Sequence, residues 1–280
     1  MRILHLCNRF TGRVAKLMRV LSPGHEQVLC CKQIPSAFVQ LAIEHPIVSY
    51  NNPQGLYHLA TGFDVVYCHY SLDSQQVFKD FLAEVGCRRV LDIHDWDHNL
   101  ADCLQHMDAV VVPTDGYRSK AKSAVVVHNK VPLCWKPKNS TKDRGTCLIG
   151  TIDREPAYFD YRETYKAFNG AIDVFATGPV DMSMGIPCYQ SMPYLFMLEH
   201  ASRYMVGFAG APNSKTNVDD CITNKFWEYL ACGCMVALET PTKEWPKPKL
   251  MEDVLDRVML GYEDIWLDSE LDILEAVING

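Results

Sequence analysis

The sequence predicts an α/β protein of two doubly wound halves, each a parallel sheet with crossover helices. Three observations carry this. Short Val- and Ile-rich runs bounded by turn residues alternate with longer segments of helical period, as buried parallel strands joined by helices do. A polar stretch without hydrophobic period, Lys136-Pro137-Lys138-Asn139-Ser140-Thr141-Lys142-Asp143-Arg144-Gly145, divides the series in two. The chain, at 280 residues, is about twice the usual domain size.

In order, the first half reads as a strand at 2–7, a helix at 14–21 ended by Ser22-Pro23-Gly24, and a strand at 27–31. Residues 33–62 fit neither period. Strands follow at 64–68, 89–93, 108–112 and 124–127, with helices at 73–85 and 99–106 between them. The second half gives strands at 146–150, 172–176, 204–208 and 235–238, with helices at 161–168, 194–201 and 224–231. The expected domains are therefore 1–132 and 146–280, joined by a linker at 133–145. A cleft between the carboxyl ends of the two sheets is where a nucleotide-containing ligand is expected.

Hydrophobic residues make up 48% and charged residues 22% of the chain, a composition that packs a core and excludes disorder and collagen. Lys and Arg number 27 against 34 Asp and Glu, so the net charge of -7 leaves no global attraction for phosphate polymers; a local basic groove stays open. The 12 cysteines sit in apolar runs such as Leu29-Cys30-Cys31 and read as reduced core residues of a cytoplasmic, reducing compartment. The amino-terminal apolar run stops after about six residues and reads as a strand rather than a signal peptide. No run of about 18 apolar residues is present, so no transmembrane segment is expected.

The most informative stretch runs from Asp219 to Val236. Thr223 stands at the cap position of a helix starting near Asn224, whose free N–H groups and positive dipole end favour an anion such as a diphosphate. Lys225 adds a charge in the first turn. Glu228, one turn on, is placed to accept hydrogen bonds from a ribose-like diol, and Asp220 in the preceding loop to meet a sugar hydroxyl. Gly233 ends the helix. A plainer alternative is an amphipathic helix that buries Phe226, Tyr229 and Leu230 and leaves Lys225 and Glu228 solvated.

The run Asn224-Lys225-x-x-Glu228-Tyr229-x-Ala231-x-Gly233-x-x-Val236 resembles the donor site of the GT-B glycosyltransferases, in particular the retaining family 4-like group. In that family two acids separated by seven residues bind the donor sugar and the ribose, and Asp220 and Glu228 match that spacing, with Asp where Glu is commoner. The segment Thr146 to Arg154 resembles the first strand of the donor domain, ending at Gly150, and its following loop. The resemblance implies that Arg154 meets the donor phosphates, where a guanidinium stabilises charge on the departing nucleotide without a metal. An ion pair of Arg154 with Asp153 or Glu155 is the competing reading.

In the first half, Asp92-Ile93-His94-Asp95 is similar to a segment of many relatives in which the histidine approaches donor sugar and acceptor. His94 is the candidate there; its alternative is a loop-organising bond to Asp92 or Asp95. The loop around Gly12 occupies the place of the family's glycine-rich loop, or Gly12 simply begins a helix.

The resemblance implies a GT-B fold of two Rossmann-like domains facing across a cleft. It implies a hexosyltransferase that moves sugar from a nucleotide-diphosphate donor with retention and without metal or other cofactor. The acceptor is left open among a glycan, a lipid-linked sugar, a protein and a DNA base. Three rivals remain. Asp95-Trp96-Asp97 is a DxD of the kind by which GT-A enzymes hold a metal and diphosphate. Asp92, His94, Asp95 and His98 offer ligands to a metal hydrolase. A sugar-nucleotide binding protein without catalysis is the third.

Overall fold

The computed structural model describes residues 1–49, 53–70, 77–94, 100–138, 141–150, 171–176, 185, 187–189, 192–209, 224–238 and 265–280. Among these, one compact unit comprises the residues in Met1–His128 and Glu270–Gly280, and a second those from Asn129 to Ser269.

The first unit holds strands β1 (Arg2–Arg9), β2 (Glu26–Gln33), β3 (Ile47–Val48), β4 (Val65–Tyr70), β5 (Arg88–Ile93), β6 (Ala109–Val112) and β7 (Val125–Val126). They form one seven-stranded sheet in the order β3-β2-β1-β4-β5-β6-β7. All its pairings are parallel, as buried Val-rich strands imply. Helices α1 (Gly12–Leu21), α2 (Val39–Ala42), α3 (Pro53–Ala60), α4 (Val77–Glu84) and α5 (Leu100–Leu104) lie between the strands in sequence. The order of strands reverses between β1 and β4, the switch point at which doubly wound sheets take up ligands.

Side-chain alternation gives the two faces of this sheet different chemistry. Leu4, Leu6, Val66, Cys68, Leu91 and Ile93 point to one face and join Phe81, Leu82 and Leu100 in an apolar core. The residues between them include His5, Tyr67, His69 and Asp92, all fully or almost fully buried. Register places His5 opposite Tyr67 and His69 opposite Asp92, so the four form a polar seam across β1, β4 and β5.

Helix α1 starts two residues earlier than its apolar period suggests, because Thr11 accepts from Val14 N and caps it; Gly12 is its first residue. The region 33–62, which shows no clear period, contains α2, α3 and the two-residue strand β3. The four-residue α2 and the two-residue β3 are too short for periodicity to reveal them.

The second unit holds β8 (Arg144–Gly150), β9 (Ile172–Ala176), β10 (Cys188–Tyr189), β11 (Tyr204–Ala209) and β12 (Met235–Leu238), in the order β10-β9-β8-β11-β12, again all parallel. Helices α6 (Tyr194–Ala201) and α7 (Asn224–Ala231) coincide with the expected ones. The expected helix at 161–168 lies outside the described residues.

Two features depart from the order read off the sequence. The segment 133–145 was expected to join the halves, yet Lys142 within it belongs to the second unit and donates from Nζ to Ser202 O (2.7 Å) and Cys232 O (2.6 Å). It thereby satisfies carbonyls just past α6 and α7, where a cation is favoured. Helix α8 (Leu271–Asn279) joins the first unit rather than the second, in which sequence order puts it. It buries Leu274, Val277 and Ile278 and lies against α1 and β5, with Arg88 Nε donating to Val277 O (2.9 Å). A nonlocal packing preference of this kind leaves no periodic trace at the sequence level.

Candidate functional site

In the second unit the candidate residues gather on α7, the helix between β11 and β12. Its buried face is anchored by Tyr229, whose hydroxyl accepts from Ile149 N (2.7 Å) and donates to Phe208 O (3.0 Å). That tie passes over Gly207 of β11, where a Cβ would overlap the Tyr229 ring. Glycine is the residue that lets helix and sheet approach this closely. The far end closes as a Schellman turn, with Gly233 at φ +68°, Gly233 N donating to Leu230 O and Cys234 N to Tyr229 O. Phe226, Trp227 and Tyr229 are core residues.

Glu228 is not a solvated surface residue: it is 2% exposed. Its Oε1 accepts from Tyr194 Oη (2.6 Å) and its Oε2 from Lys225 Nζ (2.8 Å). Burial, then the adjacent Glu228 charge, raises the Tyr194 hydroxyl well above its usual value and keeps it a donor. Lys225, an ammonium with three protons, keeps donors beyond the one that meets Glu228. At the helix start, Asn224 Oδ1 is buried and finds no hydrogen-bond partner among the described residues. Lys130 Nζ lies 5.6 Å from the Trp227 ring centroid, a second cation close to the same helix. Gly150 is the last residue of β8. Arg154, Asp220 and Thr223 lie outside the described residues.

In the first unit, His94 directly follows β5 at the carboxyl edge of the sheet, its backbone N donating to Tyr70 O (3.0 Å). Its Nε2 lies 2.9 Å from Asp92 Oδ2, the contact foreseen as the loop-organising alternative. Asp92 is the hub of a larger network. Arg13 contacts both its oxygens, with Nε at 2.8 and 3.0 Å and Nη2 at 2.6 Å, and sends Nη1 to Val127 O (2.9 Å). His69 Nδ1 lies 3.0 Å from Oδ2, and His5 Nδ1 lies 3.0 Å from His69 Nε2. Burial by itself pushes Asp92 up, but the Arg13 charge, His94 and the two histidine hydrogen bonds outweigh it and hold the carboxyl well below its ordinary value. Burial lowers His69 to about 4 and His5 well below the ordinary histidine value, so both are neutral near pH 7.

His69, Asp92 and His94 offer three ligand atoms within 4.8 Å of one another, which fits a cation. The hydrogen bonds already account for these groups, and Arg13 stands as counter-ion to Asp92. Asp95, Asp97 and His98, on which the metal-dependent alternatives lean, lie outside the described residues. Gly12 begins α1. Among the described residues every cysteine is a free thiol, and no helix is long and apolar enough to cross a membrane.

Sequence reasoning missed Arg13, His69, His5 and Tyr194. A signal was present for the first three. Arg13 and Lys16 recur at i and i+3 among the apolar residues of α1, and His5 and His69 interrupt the apolar runs Ile3 to Cys7 and Val65 to Tyr70. Charged or imidazole groups inside apolar periods mark a buried polar network. Tyr194 opens an unremarkable apolar helix, and nothing in the sequence joins it to Glu228.

No protein-family model matches the sequence, and no curated protein matches it. Solved structures do. An α-glucosyltransferase in complex with UDP and a 13-mer DNA containing a HMU base aligns over 99% of this chain and 95% of its own, at 14% identity and a TM-score of 0.58. AviGT4, a glycosyltransferase involved in avilamycin A biosynthesis, aligns over 100% and 97%, at 11% identity and a TM-score of 0.62. The UDP-GlcNAc 2-epimerase from Neisseria meningitidis bound to UDP-GlcNAc aligns over 100% of both chains, at 10% identity and a TM-score of 0.59. Together with the two parallel sheets, this likeness shows the fold class: an α/β protein of the GT-B type with two Rossmann-like domains.

Proposed function

We propose that the chain is a glycosyltransferase that moves a hexose from a nucleotide-diphosphate sugar to an acceptor hydroxyl. The observation that carries this reading is Glu228, a buried carboxylate on α7 held by Tyr194 and Lys225. A carboxylate so held is pre-oriented to accept the two hydroxyls of a ribose. Lys225, with Arg154, would meet the diphosphate, and Asp220 the sugar; the α7 N-terminus adds its N–H groups. Thr223 and Asn224 would line that helix start, and Gly150 would give the backbone room at the end of β8. His94 would meet a hydroxyl of sugar or acceptor.

In the proposed reaction the bond from the anomeric carbon to the diphosphate oxygen breaks and a bond to the acceptor oxygen forms, with retention. The acceptor proton passes to the departing diphosphate. Arg154, Lys225 and the helix start supply the positive field that a metal supplies elsewhere, so the reading is metal-independent. Glucosyltransfer to a DNA base is one version of the acceptor, supported by the DNA-bound neighbour of the same fold. Against it stands the net charge of -7, which requires a local basic surface for a polyanion. A cytoplasmic location belongs to the same proposal.

The test is release of nucleotide diphosphate from UDP-, GDP- and ADP-hexoses over a panel of acceptors, including DNA with hydroxymethylated bases. Transfer that falls by about 100-fold in Lys225→Ala and Arg154→Ala supports the reading. Unchanged turnover in both would remove the donor site. Conversion of the sugar with the nucleotide still attached would point instead to an epimerase, the activity of a neighbour of equal coverage.

A further inference from the structure

We propose that Asp92 is a positioning residue that fixes the ring tautomer of His94, leaving His94 Nδ1 as a hydrogen-bond acceptor for a hydroxyl of the sugar or the acceptor. The hydroxyl's identity rests on the glycosyltransferase reading; the tautomer does not.

The argument is one of proton bookkeeping in a closed network. Arg13 has donors only, and three of its contacts fall on the two oxygens of Asp92, which is therefore an ionised acceptor. An ionised carboxylate accepts and never donates, so each histidine nitrogen facing it carries a proton. His69 must then hold its proton on Nδ1, 3.0 Å from Oδ2. Being neutral, it presents Nε2 as an acceptor, and His5 donates to it from Nδ1 at 3.0 Å. The same rule puts the His94 proton on Nε2, 2.9 Å from Oδ2. In neutral His94, Nδ1 then holds a lone pair, and it makes no hydrogen bond with a described residue.

Geometry holds this state in place. Asp92 is 0% exposed and His94 has 10% of its side chain exposed, so one end of the His94 ring is sealed and the residue sits at the edge of the sheet. His69 packs edge-on to His94 with ring centroids 5.7 Å apart, and His69 in turn stacks on His5 and Tyr67. Rotation of the His94 ring would break the bond to Asp92 and leave a buried lone pair unmatched. The network thus converts a fixed buried charge at Arg13 and Asp92 into a fixed hydrogen-bond polarity at the sheet edge.

The experiment is a long-range proton–nitrogen NMR correlation on the imidazoles of the whole chain at pH 8, with His94→Gln identifying the His94 signals. Asp92→Asn is measured beside it for tautomer, kcat and donor KM. The inference expects wild-type His94 as the Nε2–H tautomer. In Asp92→Asn it expects loss of that preference, kcat lower by roughly 10–100-fold, and donor KM changed by less than about threefold. Wild-type His94 found as Nδ1–H, or a folded Asp92→Asn with unchanged tautomer and kcat, overturns it. If Asp92→Asn does not fold, the wild-type spectrum decides. The Nε2–H tautomer in a protein that consumes no nucleotide sugar would remove the glycosyltransferase reading and leave the tautomer assignment standing. Turnover with Nδ1–H would do the reverse.

Discussion

Arg13 and Asp92, separated by 79 residues, form a buried ion pair in which both carboxylate oxygens face the guanidinium. The pair pins helix α1 onto the middle of the first sheet, which links local structure to the site because His94 hangs from the same carboxylate. Two ions taken out of water are costly, and their mutual bonding offsets that cost only while both are present. Arg13→Met is therefore expected to cost roughly 3–5 kcal/mol, since it leaves Asp92 charged and without its cation. Arg13→Met with Asp92→Leu should recover a large part of that loss. Urea unfolding of the two variants checks it, and a double variant no more stable than the single would refute the account.

The same network makes stability depend on pH. His5 and His69 have folded-state values below their unfolded ones, His69 at about 4. A depressed group contributes stability that is complete above the unfolded value and is lost as pH falls toward the folded one. For these histidines the window opens near pH 6.5 and runs down to about pH 4. The unfolding free energy is expected to drop by roughly 2–3 kcal/mol between pH 7.5 and 5.5, about half of it absent in a folded His69→Gln variant. A flat profile over that range would show that the two rings are not buried as neutral groups.

In the second unit the close passage of Tyr229 over Gly207 leaves no room for a methyl group. Gly207→Ala must push the ring, and with it the hydroxyl that holds Ile149 N and Phe208 O. A loss on the order of 1–3 kcal/mol is expected, with weaker nucleotide binding because α7 carries Glu228. Gly207→Ala combined with Tyr229→Leu should restore part of the stability. Calorimetric melting of the three variants provides the check.

The strands and longer helices were legible because period and length agree: α6, α7, β9 and β12 have the bounds expected of them. Short or nonlocal features were not. The four-residue α2 and the two-residue strands β3 and β10 span too few residues to show a period, and α8 packs on a unit far from it in sequence. On α7 the spacing puts Lys225 and Glu228 one turn apart, where they bond each other, whereas the bond from Tyr194 to Glu228 arises only from tertiary packing. His94 was singled out by its place after a buried strand. The carboxylate that governs it was legible as a charge in an apolar run, but the cation that keeps it charged comes from another element. Among the described residues the cysteines, read as core hydrophobes, are mostly buried, and burial raises Cys30 to about 12, so that thiol is inert at neutral pH.

The central claim, a metal-independent nucleotide-sugar site built on α7, is tested most directly by thermal stabilisation of the purified chain with UDP-, GDP- and ADP-linked hexoses, with and without Mn²⁺ or Mg²⁺. A ligand at 100 times its Kd stabilises by about 2.7 kcal/mol, which gives a clear shift in melting temperature. The account predicts a shift with one nucleotide series that needs no metal and is lost or strongly reduced in Glu228→Ala. A shift that appears only with metal, or one that Glu228→Ala leaves intact, would contradict it.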